Sequence, residues 1–215
     1  MIFLFTWFVK ITGWIPYKLF VRPKIHYEDK SVQNRKIKGS AIVISNHNDL
    51  LDFAVTMFTF PTRTLRCAVA EVLFKKNFFM VLFLKLMGTI RVDRDIHDFS
   101  FLGKCKNILS RGGVVEIYPE ARLPEPDEER PLEFKTSAIY LALESGVPII
   151  PICNNAQYFT KNPLRVMIGK PIDVRALYRD DLSEKENIES INAYVRGKII
   201  EYRNQIRLID EGNQK

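Results

Sequence analysis

The chain has 215 residues, 47% hydrophobic and 27% charged, with no internal repeat and no low-complexity linker, which excludes a solenoid or a disordered chain and suits one folded domain with a small appendage. Lys and Arg number 32 against 25 Asp and Glu, a formal +7 that favours an anionic surface or substrate; without zinc-ligand spacing, an RNP-type aromatic motif or a basic recognition helix, nucleic acid is not expected as a partner. Cys67, Cys105 and Cys153 are odd in number, far apart and set in apolar stretches, so they read as reduced structural thiols in a reducing compartment, with neither disulfide nor metal role.

Residues 1–21 are rich in Phe, Trp, Leu and Ile, but Lys10, Gly13, Pro16 and Lys18 interrupt the run. A spanning helix needs about 20 apolar residues, and a cleaved signal needs a basic start and a small-residue cleavage site, so neither is expected. Lys10, Lys18, Arg22, Lys24, Lys30, Arg35, Lys36 and Lys38 face only Glu28 and Asp29 as opposing charges, with Trp7, Trp14 and Tyr17 among them. That mixture suits a helix lying in a lipid headgroup layer. Residues 1–38 are accordingly read as a helical membrane-docking segment and 39–215 as the main domain. The expected location is the cytoplasmic face of a membrane, peripheral or monotopic, with anionic lipid as partner. The alternative is a packed helical hairpin with a solvated basic rim.

From Ser40 short β-branched runs alternate with longer helical ones. Strands are predicted at Ala41–Ser45, Thr64–Ala70, Ile90–Arg94, Val114–Tyr118, Val147–Cys153 and Leu164–Ile168. Helices are predicted over Leu50–Phe60, Val72–Met87, Asp98–Ser110 and Thr136–Ser145, the last stopped by Gly146 and Pro148. Ser183-Glu184-Lys185-Glu186 reads as a capping box opening a closing helix with Ile188, Ile191, Val195 and Ile199 at helical spacing. The fold class is α/β, a central mixed sheet flanked by helices.

The first of these strands runs into Asn46-His47-Asn48-Asp49-Leu50-Leu51-Asp52, so a histidine emerges at a strand's carboxyl end, the edge where α/β sheets hold their ligands. On one continuous helix His47 and Asp52 would stand about 140° apart, so they meet only if His47 precedes the helix, whose start Asn48 and Asp49 can cap. In that geometry the carboxylate fixes the imidazole tautomer and leaves the other ring nitrogen to take a proton.

His47 with Asp52 resembles the His-x-x-x-x-Asp motif of the glycerolipid acyltransferase family, which includes lysophosphatidic acid acyltransferases. Three further blocks follow in the family's order: Gly88-Thr89-Ile90-Arg91-Val92-Asp93-Arg94, Tyr118-Pro119-Glu120-Ala121-Arg122 and Val147-Pro148-Ile149-Ile150-Pro151. Phe134-Lys135 and Gly169-Lys170-Pro171 are also similar. Two departures stand out: the family's usual Glu-Gly-Thr-Arg is shortened to Glu120-Ala121-Arg122, and a common aromatic of the second block is Arg91.

The resemblance implies catalysis by His47 and Asp52, and an acceptor site holding Arg94, Glu120, Arg122 and Lys135. Guanidinium groups bind phosphate through paired donors, and Lys135 sits beside a helix start that also favours an anion. Glu120 either binds the acceptor or braces Arg94 or Arg122. The implied reaction moves an acyl chain from acyl-CoA or acyl carrier protein to a lysophospholipid hydroxyl, most simply lysophosphatidate, without metal, cofactor or acyl-enzyme; another lysophospholipid or a glycerol phosphate acceptor is the alternative. No Gly-x-Ser-x-Gly elbow supports a serine hydrolase. A non-catalytic lipid-binding module is the other rival. The Phe-rich stretch from Phe74 to Met87 is read as core or as an acyl tunnel.

Overall fold

A computed structural model describes residues 1–93 and 100–212. Helix α1 (Ile2–Pro16) continues into a π-helical turn (Tyr17–Val21) that ends where Arg22 turns left-handed ahead of Pro23. Then come β1 (Lys24–Tyr27), β2 (Ala41–Ser45), α2 (Asp52–Thr59), β3 (Leu65–Ala70), a 3-10 turn (Glu71–Lys75), α3 (Phe78–Met87) and β4 (Ile90–Val92). The chain continues through α4 (Ser100–Ser110), β5 (Val114–Ile117), α5 (Ser137–Ser145), β6 (Ile149–Asn154), β7 (Arg165–Ile168) and α6 (Glu184–Gly212). Every predicted strand is present within a residue or two, though the expected end of β4 at Arg94 and start of α4 at Asp98 lie outside the described residues.

Seven strands form one sheet in the order β1-β7-β6-β2-β5-β3-β4. All neighbouring pairs are parallel except β6 with β7, so β6, β2, β5, β3 and β4 point one way and β7 and β1 the other. The sheet is mixed, as predicted. Strand β2 is buried throughout and divides its side chains by the two-residue period. Ile42 and Ile44 join Leu109, Leu141, Val195 and Ile199 beneath α4, α5 and α6, whereas Ala41 and Val43 join Phe60, Leu65 and Ile150 on the opposite face. Each fully buried Ile or Leu contributes roughly 1.5–3 kcal/mol. The capping box forms, with Ser183 and Glu186 exchanging hydrogen bonds at the start of α6.

Two regions differ from the sequence reading. Within residues 1–38 only the part to Val21 is helical, because Ile25 and Tyr27 alternate with polar neighbours and β1 pairs in parallel with β7 at the sheet edge. Glu28 locks this strand down, accepting from the Lys170 amide (2.8 Å) and the Tyr202 hydroxyl (2.7 Å). Helix α1 is fastened by Lys10, whose buried ammonium donates to the carbonyls of Phe60 (3.1 Å), Pro61 (3.1 Å) and Arg63 (2.5 Å) beyond the end of α2. Burial brings that ammonium down to about 8. The segment is thus built into the α/β body.

The second difference concerns Val72–Met87, which is broken at Lys76. Asn77 caps α3 by accepting from the Met80 amide (2.9 Å), and Gly88 closes it at φ +68°, where an added Cβ would fall 1.4 Å from Arg66 Nη1. Helix α3 is not core: only Leu84 and Met87 are buried, while Phe78 and Phe79 are 71% and 78% exposed.

Candidate active site

Strands β2, β5 and β6 are parallel neighbours, so their carboxyl ends share one edge and deliver His47, Glu120 and Asn154 to one place. His47 leaves β2 two residues after its end, and α2 begins at Asp52. The intervening turn is held by Asp49, whose carboxylate accepts from the Leu51 amide (2.8 Å). It brings His47 Nδ1 to 3.0 Å from Asp52 Oδ2.

Asp52 is fully buried and both its oxygens are engaged. Besides the imidazole, Oδ2 accepts from the amides of Asn48 (2.6 Å) and Asp49 (2.9 Å); Oδ1 accepts from Asn154 Nδ2 (3.0 Å) and from the Tyr158 hydroxyl. A carboxylate has no hydrogen to offer, so the proton between it and the ring sits on Nδ1, and Nε2 is left to accept. The imidazole is 15% exposed.

A second carboxylate acts on the backbone. Glu120 accepts from the His47 amide through Oε1 (2.7 Å) and from the Leu132 amide through Oε2 (2.8 Å). Burial raises its carboxyl above the usual range, against the pull of those two amides. Glu120 thus braces the histidine loop, a contact that neither sequence reading named. The Leu132 side of that brace is tied to α6, since Arg196 donates to the carbonyls of Leu132 (3.0 Å) and Pro131 (2.7 Å), and Asn192 to that of Phe134 (2.8 Å).

The imidazole lies on the ring of Tyr118, centroids 4.5 Å apart and planes inclined by 28°. The Tyr118 hydroxyl donates to Glu116 Oε1 (2.6 Å) inside the sheet. Burial pushes the Glu116 carboxyl up to about 8, so it is neutral below that pH and places no full charge under the histidine.

The expected cationic residues stand farther out. Arg122 is half exposed and pairs through both terminal nitrogens with Glu128. Arg122 holds the Glu128 carboxyl at about 2. The shortened third block has a cost: Ala121 takes φ +62°, where an L residue loses about 1–2 kcal/mol relative to glycine. Lys135 is exposed, and its amide donates to the Pro119 carbonyl (2.8 Å), which keeps the start of α5 beside the third block. Arg91 pairs with Glu71 (3.1 Å). Arg94 lies outside the described residues.

Asn154, Tyr158 and Tyr118 were missed by sequence reasoning as site residues. Asn154 directly follows the apolar run of β6, a polar residue leaving a strand at the same edge as His47, which was a usable signal; Tyr158, in the following loop, offered none. Among the described residues no group of three or more His, Cys, Asp or Glu is placed to hold a metal ion, and all three cysteines are buried and unpaired. Chemically, the arrangement is an oriented imidazole whose Nε2 has no hydrogen-bond partner among the described residues, suited to removing a proton from a hydroxyl.

Comparison with known proteins gives this geometry a context. The human 1-acyl-sn-glycerol-3-phosphate acyltransferase beta is 23% identical over 184 residues, which cover 81% of this chain and 66% of that protein. The human alpha enzyme is 27% identical over 153 residues, 66% of this chain and 53% of that one. The Saccharomyces cerevisiae 1-acyl-sn-glycerol-3-phosphate acyltransferase is 28% identical over 160 residues, 68% of this chain and 52% of that one. The chain thus spans about half to two thirds of these relatives. The crystal structure of the 1-acyl-sn-glycerophosphate (LPA) acyltransferase PlsC from Thermotoga maritima superposes with a TM-score of 0.60 at 16% identity, covering 94% of this chain and 95% of that one, and so shares its fold. The sequence model of the Acyltransferase family matches residues 22–155, well over half of the molecule and including His47, Asp52, Glu120 and Asn154, and the chain therefore belongs to that family.

Proposed function

We propose that the protein transfers a fatty acyl group from acyl-CoA or acyl carrier protein to the hydroxyl of a lysophospholipid, with lysophosphatidate as the preferred acceptor. The observation that carries this reading is the His47 and Asp52 pair at 3.0 Å, braced by Glu120 and open at Nε2. Family membership supports acyl transfer, and the names of the relatives support this acceptor class. His47 Nε2 takes the acceptor's hydroxyl proton as that oxygen attacks the thioester carbonyl. The C–S bond then breaks, and the leaving thiolate recovers the proton from the imidazolium. A thioester is already activated, so base assistance and proximity are the protein's main tasks.

The test is acyl transfer by the full chain on vesicles containing a mixed pool of lysolipids and thioester donors, with products identified by mass spectrometry. Thioester hydrolysis alone, or no product, defeats the reading. In the same assay Arg122→Ala should raise the Michaelis constant for lysophosphatidate about 10- to 100-fold, the loss of a charge-assisted hydrogen bond worth roughly 1.5–3 kcal/mol, and leave the donor's nearly unchanged. In this role Arg122 exchanges Glu128 for the acceptor phosphate. Equal weakening for acceptors with and without phosphate removes it from that role.

Within the same proposal the enzyme docks on an anionic bilayer. Among the described residues no helix is long and apolar enough to cross a membrane. Helices α1 and α3 pack together, with Phe5 and Phe83 edge to face at 6.0 Å. Beside that contact Phe3, Leu4, Phe8, Ile11, Phe78 and Phe79 are all exposed, and Lys75, Lys76 and Lys85 flank the α3 part. Apolar side chains rimmed by lysine suit a headgroup layer, each lysine adding about 1 kcal/mol near an anionic surface. Because β1 belongs to the sheet, the test is substitution rather than truncation. Phe78→Ser with Phe79→Ser should reduce flotation with anionic vesicles at both low and high salt, whereas Lys75→Gln with Lys76→Gln should reduce it at low salt only. Undiminished flotation of both variants rules out this face.

A further inference from the structure

Behind the imidazole, Asp52 Oδ1 is held by two side chains to which the mechanism above assigns no part, Asn154 and Tyr158. Tyr158 leaves the loop after β6 and donates its hydroxyl to Asp52 Oδ1, next to the donation from Asn154 Nδ2 (3.0 Å) to the same oxygen. Asn154 cannot turn its amide over without loss. Its Oδ1 already accepts from Asn48 Nδ2 (3.2 Å) and from the Ala156 amide (2.9 Å), and its own backbone amide and carbonyl are bonded to the Asn46 side chain at 2.9 Å each. The Asn154 amide is therefore fixed as a donor, and the phenol is directed onto Asp52 by its position.

We propose that Tyr158, together with Asn154, is a positioning residue that sets the orientation and effective charge of Asp52 and thereby the basicity of His47. The proposal rests on the reading of His47 as the base. Each donor to Oδ1 draws negative charge away from Oδ2, the oxygen facing Nδ1. The imidazolium formed during catalysis is then stabilised less than a lone carboxylate would stabilise it, and the ring gives its proton to the leaving thiolate more readily. The phenol remains protonated in this role, because burial and then the adjoining Asp52 drive its ionisation far above the usual range.

Other titratable groups around His47 must be separated from this effect. Among the described residues these are Asp52 and Asp49 from α2 and the turn before it, Glu116, Tyr118 and Glu120 from β5 and its exit, Cys67 on β3 and Cys153 on β6. Burial pushes Tyr118, Cys67 and Cys153 well up, so none of these three produces an acid limb in a rate profile. Glu116, pushed up to about 8, and Glu120, raised from the carboxylate range, can both contribute to one, so the imidazole itself has to be observed.

The experiment compares the full-length wild type with Tyr158→Phe, following the His47 imidazole by NMR titration and kcat/KM against pH by acyl transfer. Removing one donor makes Oδ2 more negative, so the His47 titration should move to higher pH by about 0.5 to 1 unit, the acid limb of the rate moving with it. At a pH on the acid side of the wild-type limb the variant's kcat/KM should fall about 3- to 10-fold, with the acceptor's Michaelis constant little changed. Incorporating 3-fluorotyrosine at position 158 keeps the shape and strengthens the donor, so it should move the titration in the opposite direction; it also serves if Tyr158→Phe folds poorly. An unchanged His47 titration in both forms overturns the proposal whatever the rate does. A shifted titration without a matching shift of the acid limb instead sustains the coupling and overturns the assignment of His47 as base.

Discussion

His47→Ala is expected to lower kcat by about 10² to 10⁴ while leaving the protein folded, because it deletes the group assigned to accept the hydroxyl proton. The fold should tolerate the change. The imidazole is partly exposed, its side chain makes its hydrogen bond at Nδ1 alone among the described residues, and Asp52 keeps four of its five donors when the ring is gone. The backbone amide that Glu120 grips is retained in alanine, so the loop stays braced. A thermal transition within a few degrees of wild type should therefore accompany the lost turnover. Near-normal turnover in a folded His47→Ala protein would show that another group takes the proton.

Most of the scaffold behind this prediction was legible in the sequence because it follows periodicity. Strand β2 was readable from Ala41–Ser45, and the start of α2 followed from requiring His47 to lie before a helix if it was to meet Asp52. The same logic failed at β1, where Lys24 and His26 made a half-buried edge strand look like part of a basic helical segment, and pairing with β7 supplied the stability that the local pattern concealed. At α3 it failed in the other direction. An apolar run was read as core or tunnel, yet α3, packed against α1 and the 3-10 turn before it, leaves Phe78 and Phe79 in the open.

The supporting network of the site was less legible than the pair itself, since its members meet only through the sheet order. Glu120 and His47 are far apart in the chain and come together because β2 and β5 are neighbours. Asn154 reaches Asp52 because β6 flanks β2 on the other side. A sequence places polar residues at strand ends but does not say which ends are adjacent. The contribution of α6 was hidden for a similar reason: its buried stripe was visible, whereas Arg196 and Asn192, which secure the loop carrying Leu132, looked like ordinary surface residues.

Asp52→Asn should be the most damaging conservative change in the molecule, because it strikes activity and stability together. All five partners of Asp52 are donors in the native arrangement, and an asparagine has one accepting oxygen. If that oxygen takes the Oδ2 position, the imidazole and the two turn amides are satisfied, but the new NH2 faces the Asn154 NH2. The Tyr158 hydroxyl can rotate to accept; Asn154 cannot, for its oxygen is already committed to Asn48 and Ala156. If the amide is placed the other way, the NH2 opposes Nδ1–H and both turn amides, and the ring must change tautomer and lose Nε2 as the acceptor. The first arrangement is therefore expected, stranding one buried donor pair at a cost of about 1–3 kcal/mol and lowering the thermal transition. It also leaves the imidazolium facing a neutral amide instead of a carboxylate. Turnover should fall on the order of 10² to 10⁴, mainly in kcat, with the acceptor's Michaelis constant little changed. The measurement is steady-state kinetics on the variant alongside its thermal unfolding. Full activity at reduced stability would confine Asp52 to a structural role, and an undiminished thermal transition would contradict the five-donor arrangement around its carboxylate.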